Sequence, residues 1–239
     1  MRRFYAPPEN FAHDKISLGL EETRHLRDVL RLRAGEKVQV FDGAGREYLC
    51  SIEDISKRET SLRVIEETAP AALESDLELT LAVALLKGEK FELVVQKAVE
   101  LGVARLVPLD TKRADVKLKD ADKRVERWQK IALEASKQSG RAKLMRIESP
   151  VDFEKFVTTS ADGAKILFAE RGGASFAQIR ADKKITALVG SEGGWEDSEI
   201  EFAAAHDFQI ITLAGRILRA ETAAIAIAAV LQNNFGDLR

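Results

Sequence analysis

From Leu79 onward the chain alternates short apolar runs with segments of helical period, and this alternation restricts the possible folds more than any other feature. Leu79 to Leu86 is a nearly unbroken apolar run, as expected of a strand covered on both faces. Glu89 to Leu101 places Phe91, Val94, Val95, Ala98 and Leu101 on one helical face, and Gly102 stands where a helix C-cap belongs. A second helix is expected over 123–137, with Val125, Trp128, Ala132 and Ala135 inward and Arg124, Arg127 and Lys130 outward. Further strands are expected at 105–109, 165–169, 185–190 and 209–213. Buried strands separated by helices predict an α/β domain built on a parallel sheet.

The first 70 residues follow another rule. Lys37–Phe41 alternates, Asp42-Gly-Ala-Gly45 turns and Tyr48–Ile52 returns, which is the pattern of a β-hairpin; 61–65 adds a strand. Several short strands in so little chain suggest a small β-barrel. One helix, Glu21 to Leu32, carries an apolar stripe of Leu26, Val29 and Leu30, with Arg24, Arg27 and Arg31 in a row opposite. That row is either solvent dressing or a phosphate contact. A linker, 67–75, punctuated by Pro70, separates the two patterns, so two domains are expected, 1–72 and 73–239.

A chain of 239 residues, 45% hydrophobic and 32% charged, is a globular rather than a disordered one. The N-terminus has no apolar run suited to a signal peptide, and the longest uncharged stretch, 222–236, is too short to span a membrane. One cysteine, Cys50, allows no internal disulfide, which makes a cytoplasmic location the expectation; three histidines and one cysteine offer no metal-ligand spacing. The net charge of −2 excludes a generally basic nucleic-acid binder. Between Lys112 and Arg146, however, twelve Lys or Arg stand against five Asp or Glu, either a solvated helix face or a phosphate-holding patch.

In parallel sheets, ligands bind beyond the carboxyl ends of the strands. Gly190-Ser-Glu-Gly-Gly194 follows one expected strand and Ala214-Gly215 another, so both loops fall on that edge. Glycine there lets the backbone approach a ligand closely. No P-loop, dinucleotide fingerprint or nucleophile elbow is present. Arg219 and Glu221 stand between Leu218 and an uncharged helix, and burying them would cost several kcal/mol unless they were paired. They are either a structural pair capping that helix or charges placed for chemistry.

The segments Lys87-Gly-Glu-Lys90, Gln96–Val103, Glu134–Arg141, Gly190–Gly194 and Arg216–Ala223 together resemble the RsmE family, ribosomal RNA small-subunit methyltransferases of the SPOUT superfamily. Arg2-Arg-Phe-Tyr5 and His25–Arg31 resemble the PUA-like domain of that family, so the resemblance covers nearly the whole chain. It implies a SPOUT domain with a deep trefoil knot in its parallel sheet, a fold that breaks the usual rule against knots. It also implies S-adenosylmethionine as cofactor, a homodimer, and methylation of N3 of one uridine in 16S rRNA of the small ribosomal subunit. Carried over, the cofactor contacts are Leu167, Gly190, Glu192, Gly193, Gly194, Leu213, Ala214, Gly215, Ile217, Leu218, Thr222 and Ala223. The family commonly has proline where Ser191 stands, and glycine where Ala214 stands.

Attack by N3 on a sulfonium methyl needs alignment first. Loss of the N3 proton spreads negative charge onto O2 and O4, which a cation stabilises. The expected catalytic residues are Arg219, for that charge, and Glu221, to orient Arg219 or relay the proton. N3 lies on the Watson–Crick edge, so the target must be unpaired or flipped out. Phosphate contacts are expected from Arg2, Arg3, Arg24, Arg27, Arg31, Arg113 and Arg141. The rival readings are a non-catalytic rRNA-binding or assembly factor that keeps the fold, and an α/β enzyme acting on a small metabolite.

Overall fold

The computed structural model describes residues 2–116, 121–160, 163–181, 183–213 and 215–238. The chain forms two compact units, residues 1–74 with 136–144, and residues 75–135 with 145–239.

The first unit is built on six strands: β1 (Arg3–Tyr5), β2 (Phe11–Ala12), β3 (Lys15–Leu18), β4 (Lys37–Phe41), β5 (Glu47–Ile55) and β6 (Thr60–Thr68). They lie in one sheet in the order β1-β4-β5-β6-β3-β2, antiparallel except for β1 on β4. No ladder joins the end strands among the described residues. The expected β4–β5 hairpin forms, and its turn is held by Asp42. That buried carboxylate accepts from the Ala44 and Arg46 amides and from Arg46 Nε at 2.9 Å. Phe4, Leu26, Val38, Val40, Ile52 and Leu62 fill the core between sheet and helix.

The expected helix over 21–32 is shorter and changes pitch. Helix α1 (Leu20–Arg24) runs into a π-helical turn, His25–Val29, and Arg31 takes a left-handed conformation at φ 55°. The extra residue per turn breaks the spacing that would align Arg24, Arg27 and Arg31.

Across this unit Arg3 and Glu47 form a buried ion pair. Arg3 Nε and Nη2 donate to the two carboxylate oxygens at 2.9 and 3.0 Å, while Nη1 donates to the Ser136 carbonyl at 2.9 Å and Nη2 also to the Gly140 carbonyl at 3.1 Å. Glu47 Oε2 also takes the Ala71 amide. The fork of the guanidinium satisfies carbonyls that a helix end leaves open.

The second unit contains β7 (Glu78–Ala84), α2 (Lys90–Glu100), β8 (Arg105–Asp110), α3 (Ala121–Ser139, its last turn counted with the first unit), β9 (Arg146–Ile147), β10 (Val151–Asp152), α4 (Phe153–Thr159), β11 (Ala164–Phe168), β12 (Ala174–Ser175), β13 (Lys184–Val189), α5 (Asp197–Ala205), β14 (Gln209–Thr212) and α6 (Ala220–Phe235). Every ladder is parallel, in the order β10-β8-β7-β13-β11-β14-β12 with β9 on β8. Alternate strand residues fall into two cores. Leu81, Val83, Ile166, Phe168, Ile185 and Val189 pack with α2, α3 and α6, whereas Ala82, Leu167 and Leu188 pack with α4 and α5. Among the described residues no helix is long and apolar enough to cross a membrane, and no group of side chains could hold a metal ion.

Gln232, fully buried on α6, accepts from Ser75 Oγ at 2.7 Å and donates to the Gly102 carbonyl at 3.1 Å. It fastens the last helix to the start of β7 and to the turn after α2.

Breaking the Arg3–Glu47 pair leaves a buried charge without a partner, a loss of about 3–5 kcal/mol. Glu47→Ala is therefore expected to lower the urea midpoint of the first unit, and Arg3→Met with Glu47→Leu to recover only part of it, because the Ser136 and Gly140 carbonyls and the Ala71 amide then lose their partners. Trp128 and Trp195 both lie in the second unit, so tryptophan fluorescence follows that unit, while hydrogen exchange of the β4 and β5 amides follows the first. Equal loss in both signals would count against a local role.

Candidate functional site

Three neighbouring strands run in one direction, so β11, β13 and β14 end at Phe168, Val189 and Thr212 on one edge of the sheet. The loops leaving these ends build the site, and α6 closes it.

The loop 190–195 is held at both ends. Buried Trp195 donates from its indole Nε1 to the Phe168 carbonyl at 2.9 Å, and its ring lies 5.3 Å from that of Phe153. The Gly194 amide donates to the Ser191 carbonyl at 2.9 Å, closing a turn in which Gly194 has φ 68°. A side chain there would be strained, and its Cβ would sit 3.0 Å from the Glu170 carboxylate. At Gly190 a Cβ would meet the Trp195 indole at 3.2 Å. Ser191 donates its hydroxyl to the Arg113 carbonyl at 3.0 Å.

Glu192 accepts from Lys90 Nζ at 2.8 Å and from the Lys87 amide at 3.4 Å. Burial pushes its pKa up, but the Lys90 bond and backbone amides outweigh this and hold the carboxyl below the ordinary range. Farther along, Arg113 bonds Glu196 at 2.8 Å and lowers the pKa of that carboxyl in the same way.

These loops enclose a cavity of about 380 Å³, within the range of small-molecule sites. Phe168, Val189, Ala220, Ala223 and Ile227 give it an apolar floor. Lys90, Glu170, Glu192, Arg216 and Arg219 supply charge around it. Of the residues expected at a cofactor, Gly190, Glu192, Gly194, Leu213, Ile217, Leu218 and Ala223 all line this cavity, together with Arg219.

Others do not. Leu167 points into the α4–α5 core, because the neighbour of a cavity-facing strand residue faces the opposite side; Phe168, Ala169 and Glu170 stand at the cavity instead. Gly193 packs against Arg113, and Gly215 and Thr222 are exposed outside the lining. Ala214 lies outside the described residues. Arg219 is exposed at the N-cap of α6, so it carries no burial cost, and no ion pair joins it to Glu221. The structural-pair reading therefore fails. Glu221 sits in the first turn of α6, where the helix dipole favours a carboxylate, and its sealed Oε2 has no hydrogen-bond partner among the described residues.

Among the arginines expected at phosphate, Arg2, Arg24 and Arg31 are exposed, and Arg27 leans on Asp28 at 2.7 Å. Arg3 and Arg141 require correction: Arg141 is buried, the Arg3 side chain is only 9% exposed, and both are consumed internally, Arg3 by Glu47 and Arg141 by Glu74 at 2.7 Å. The cavity also holds Lys90, Glu170 and Arg216, which are not among the individual contacts expected from the sequence. Glu170 and Arg216 each follow an expected strand on the ligand-binding edge, and that position was the available signal.

Comparison with known proteins gives the chain's family. Residues 73–232 match the sequence pattern of an RNA methyltransferase domain, and residues 19–65 that of an RNA methyltransferase PUA domain. The chain is similar to ribosomal RNA small subunit methyltransferase E of Synechocystis, at 34% identity over 95% of this chain and 76% of the relative. It is also similar to the protein of that name in Bacillus subtilis, at 32% identity over 90% and 89%. The crystal structure of ribosomal RNA small subunit methyltransferase E from Neisseria gonorrhoeae bound to S-adenosyl methionine superposes with a TM-score of 0.92, at 32% identity over 100% of both chains. The chain belongs to the ribosomal RNA small subunit methyltransferase E family, with its α/β domain preceded by a PUA domain.

Proposed function

We propose that this protein uses S-adenosylmethionine to methylate N3 of a uridine in 16S rRNA of the small ribosomal subunit, acting as a homodimer in the cytoplasm. The observation that carries the reading is the cavity at the carboxyl ends of β11, β13 and β14, walled by glycine turns that leave backbone groups open to a ligand. Its fit to the cofactor rests on a volume suited to a small molecule and on an apolar floor beside a charged rim. When bound, S-adenosylmethionine supplies an electrophilic methyl group on a sulfonium.

Gly190, Gly194, Leu213, Leu218 and Ala223 would hold the cofactor, with Glu192 kept ionised by Lys90 at the rim. Arg219 stands exposed at the cavity with no ion pair among the described residues, which suits a cation reserved for charge developing on uracil oxygens. Glu221 sits in the first turn of α6, where its carboxylate favours the helix start that carries that arginine. Partly exposed Ile225, Ala226, Ala229 and Val230 on α6, with Ile217 80% exposed, support the homodimer as the cover for this face. The chain path supports the trefoil knot: β14 pairs on the far side of β11 from β13, and α6 then returns to α2 and β7.

Labelled methyl should pass from S-adenosylmethionine to small subunits lacking the modification and be recovered as 3-methyluridine. Arg219→Ala should slow single-turnover transfer about 10²–10³-fold with cofactor affinity retained; label in another nucleoside would refute the assignment. For the exposed arginines the test is ionic. Each phosphate contact adds about 0.7–0.9 to the slope of log affinity against log salt, so Arg24→Ala with Arg31→Ala should flatten it by about 1.5. An unchanged slope would remove both from the RNA surface.

A further inference from the structure

A second cavity, of about 390 Å³, lies behind the Gly194–Trp195 turn. Arg113, Arg171 and Asp197 line it, with Ile200 and Ile210 as its apolar wall. That wall belongs to the core on the α4–α5 face, whereas the floor of the first cavity is α6 on the other face. Ala169, Glu170, Gly194 and Trp195 border both cavities and so form the partition between them.

Glu170 is the one carboxylate among the described residues that borders both. Glu192 faces only the first cavity and Asp197 only the second. Glu192 is bonded to Lys90, and Glu196 nearby to Arg113. Glu170 is exposed, with no hydrogen bond or ion pair engaging it among the described residues. Its Oε1 lies 3.0 Å from the point where a Gly194 Cβ would stand, so the missing side chain at 194 is what leaves room for the carboxylate.

The geometry points to Glu170 as the acceptor of the uridine N3 proton, with the base brought to the partition from the side of the first cavity, where Arg219 also stands; this rests on the methyltransferase reading above. The step balances. The N3–H bond breaks and its proton passes to a Glu170 oxygen, the N3 electron pair forms the bond to the methyl carbon, and the carbon–sulfur pair remains on sulfur. A sulfonium and a carboxylate thereby become a neutral thioether and a neutral acid, so no net charge is left in the partition. Glu221 is less suited to the role, since it lines neither cavity and one of its oxygens is sealed. Arg171, exposed on the far side of the partition, is placed to hold a phosphate of the same nucleotide.

The test compares the unaltered protein with Glu170→Gln, Glu170→Asp and Glu170→Ala in single-turnover transfer to small subunits lacking the modification. Calorimetry with S-adenosylmethionine and with S-adenosylhomocysteine supplies the second readout. The expected result is a loss of about 10²-fold or more in Glu170→Gln, partial activity in Glu170→Asp, and partial rescue of Glu170→Ala by added formate. Both cofactor affinities should be retained together. Transfer at the unaltered rate in Glu170→Gln overturns the proposal. So does loss of S-adenosylmethionine affinity with S-adenosylhomocysteine affinity intact, since the carboxylate would then only neutralise the sulfonium. Failure of the unaltered protein to transfer methyl to any rRNA has a different signature: it overturns the methyltransferase reading, and this assignment with it.

Discussion

The hydrogen bond from the Trp195 indole to the Phe168 carbonyl joins the end of one strand to the loop that leaves its neighbour. Without it, Gly190–Gly194 would be a free glycine-rich segment, with more conformations to lose on binding than an ordered one. With it, the backbone amides of the loop are set before any ligand arrives. The same indole separates two cavities, so one buried side chain gives the site its rigidity and its division. Binding energy is then available for alignment rather than for ordering the loop.

Charge is sorted along the same lines. Arg3, Arg141 and Lys90 are matched to carboxylates and serve the architecture, whereas Arg216 and Arg219 stand at the cavity without an ion pair among the described residues. A cation already matched inside the protein has little left to offer a transient anion. The difference between a structural and a reactive arginine here lies in its partners, not in its residue type.

Much of this was legible from periodicity. The parallel order of β7, β8, β11, β13 and β14, and hence the edge that carries the loops, follows from the spacing of apolar runs. What escaped depends on parity or distance. Leu167 and Phe168 differ by one position, and a strand sends them to opposite faces. The arginine row failed because a single π-helical turn shifts everything after it. Arg3 and Arg141 are neutralised by residues 44 and 67 positions away, beyond the reach of any local pattern. Strands β1, β2 and β3, two to four residues long, are too short to show alternation.

The fastening of α6 by Gln232 bears on how the protein comes into being. The helix that supplies the cavity floor finds its partners at Ser75 and Gly102, 157 and 130 residues earlier in the chain. Such long closures are slow to form, and during synthesis the earlier part of a chain folds first. Residues 75–213 must therefore wait, with Leu81, Val83 and Phe91 uncovered on one side, until 220–235 emerge. The ligand cavity lacks its α6 floor throughout that interval. A nascent chain can neither bind its ligand early nor be rescued by it, and its exposed apolar side is where a chaperone would find it.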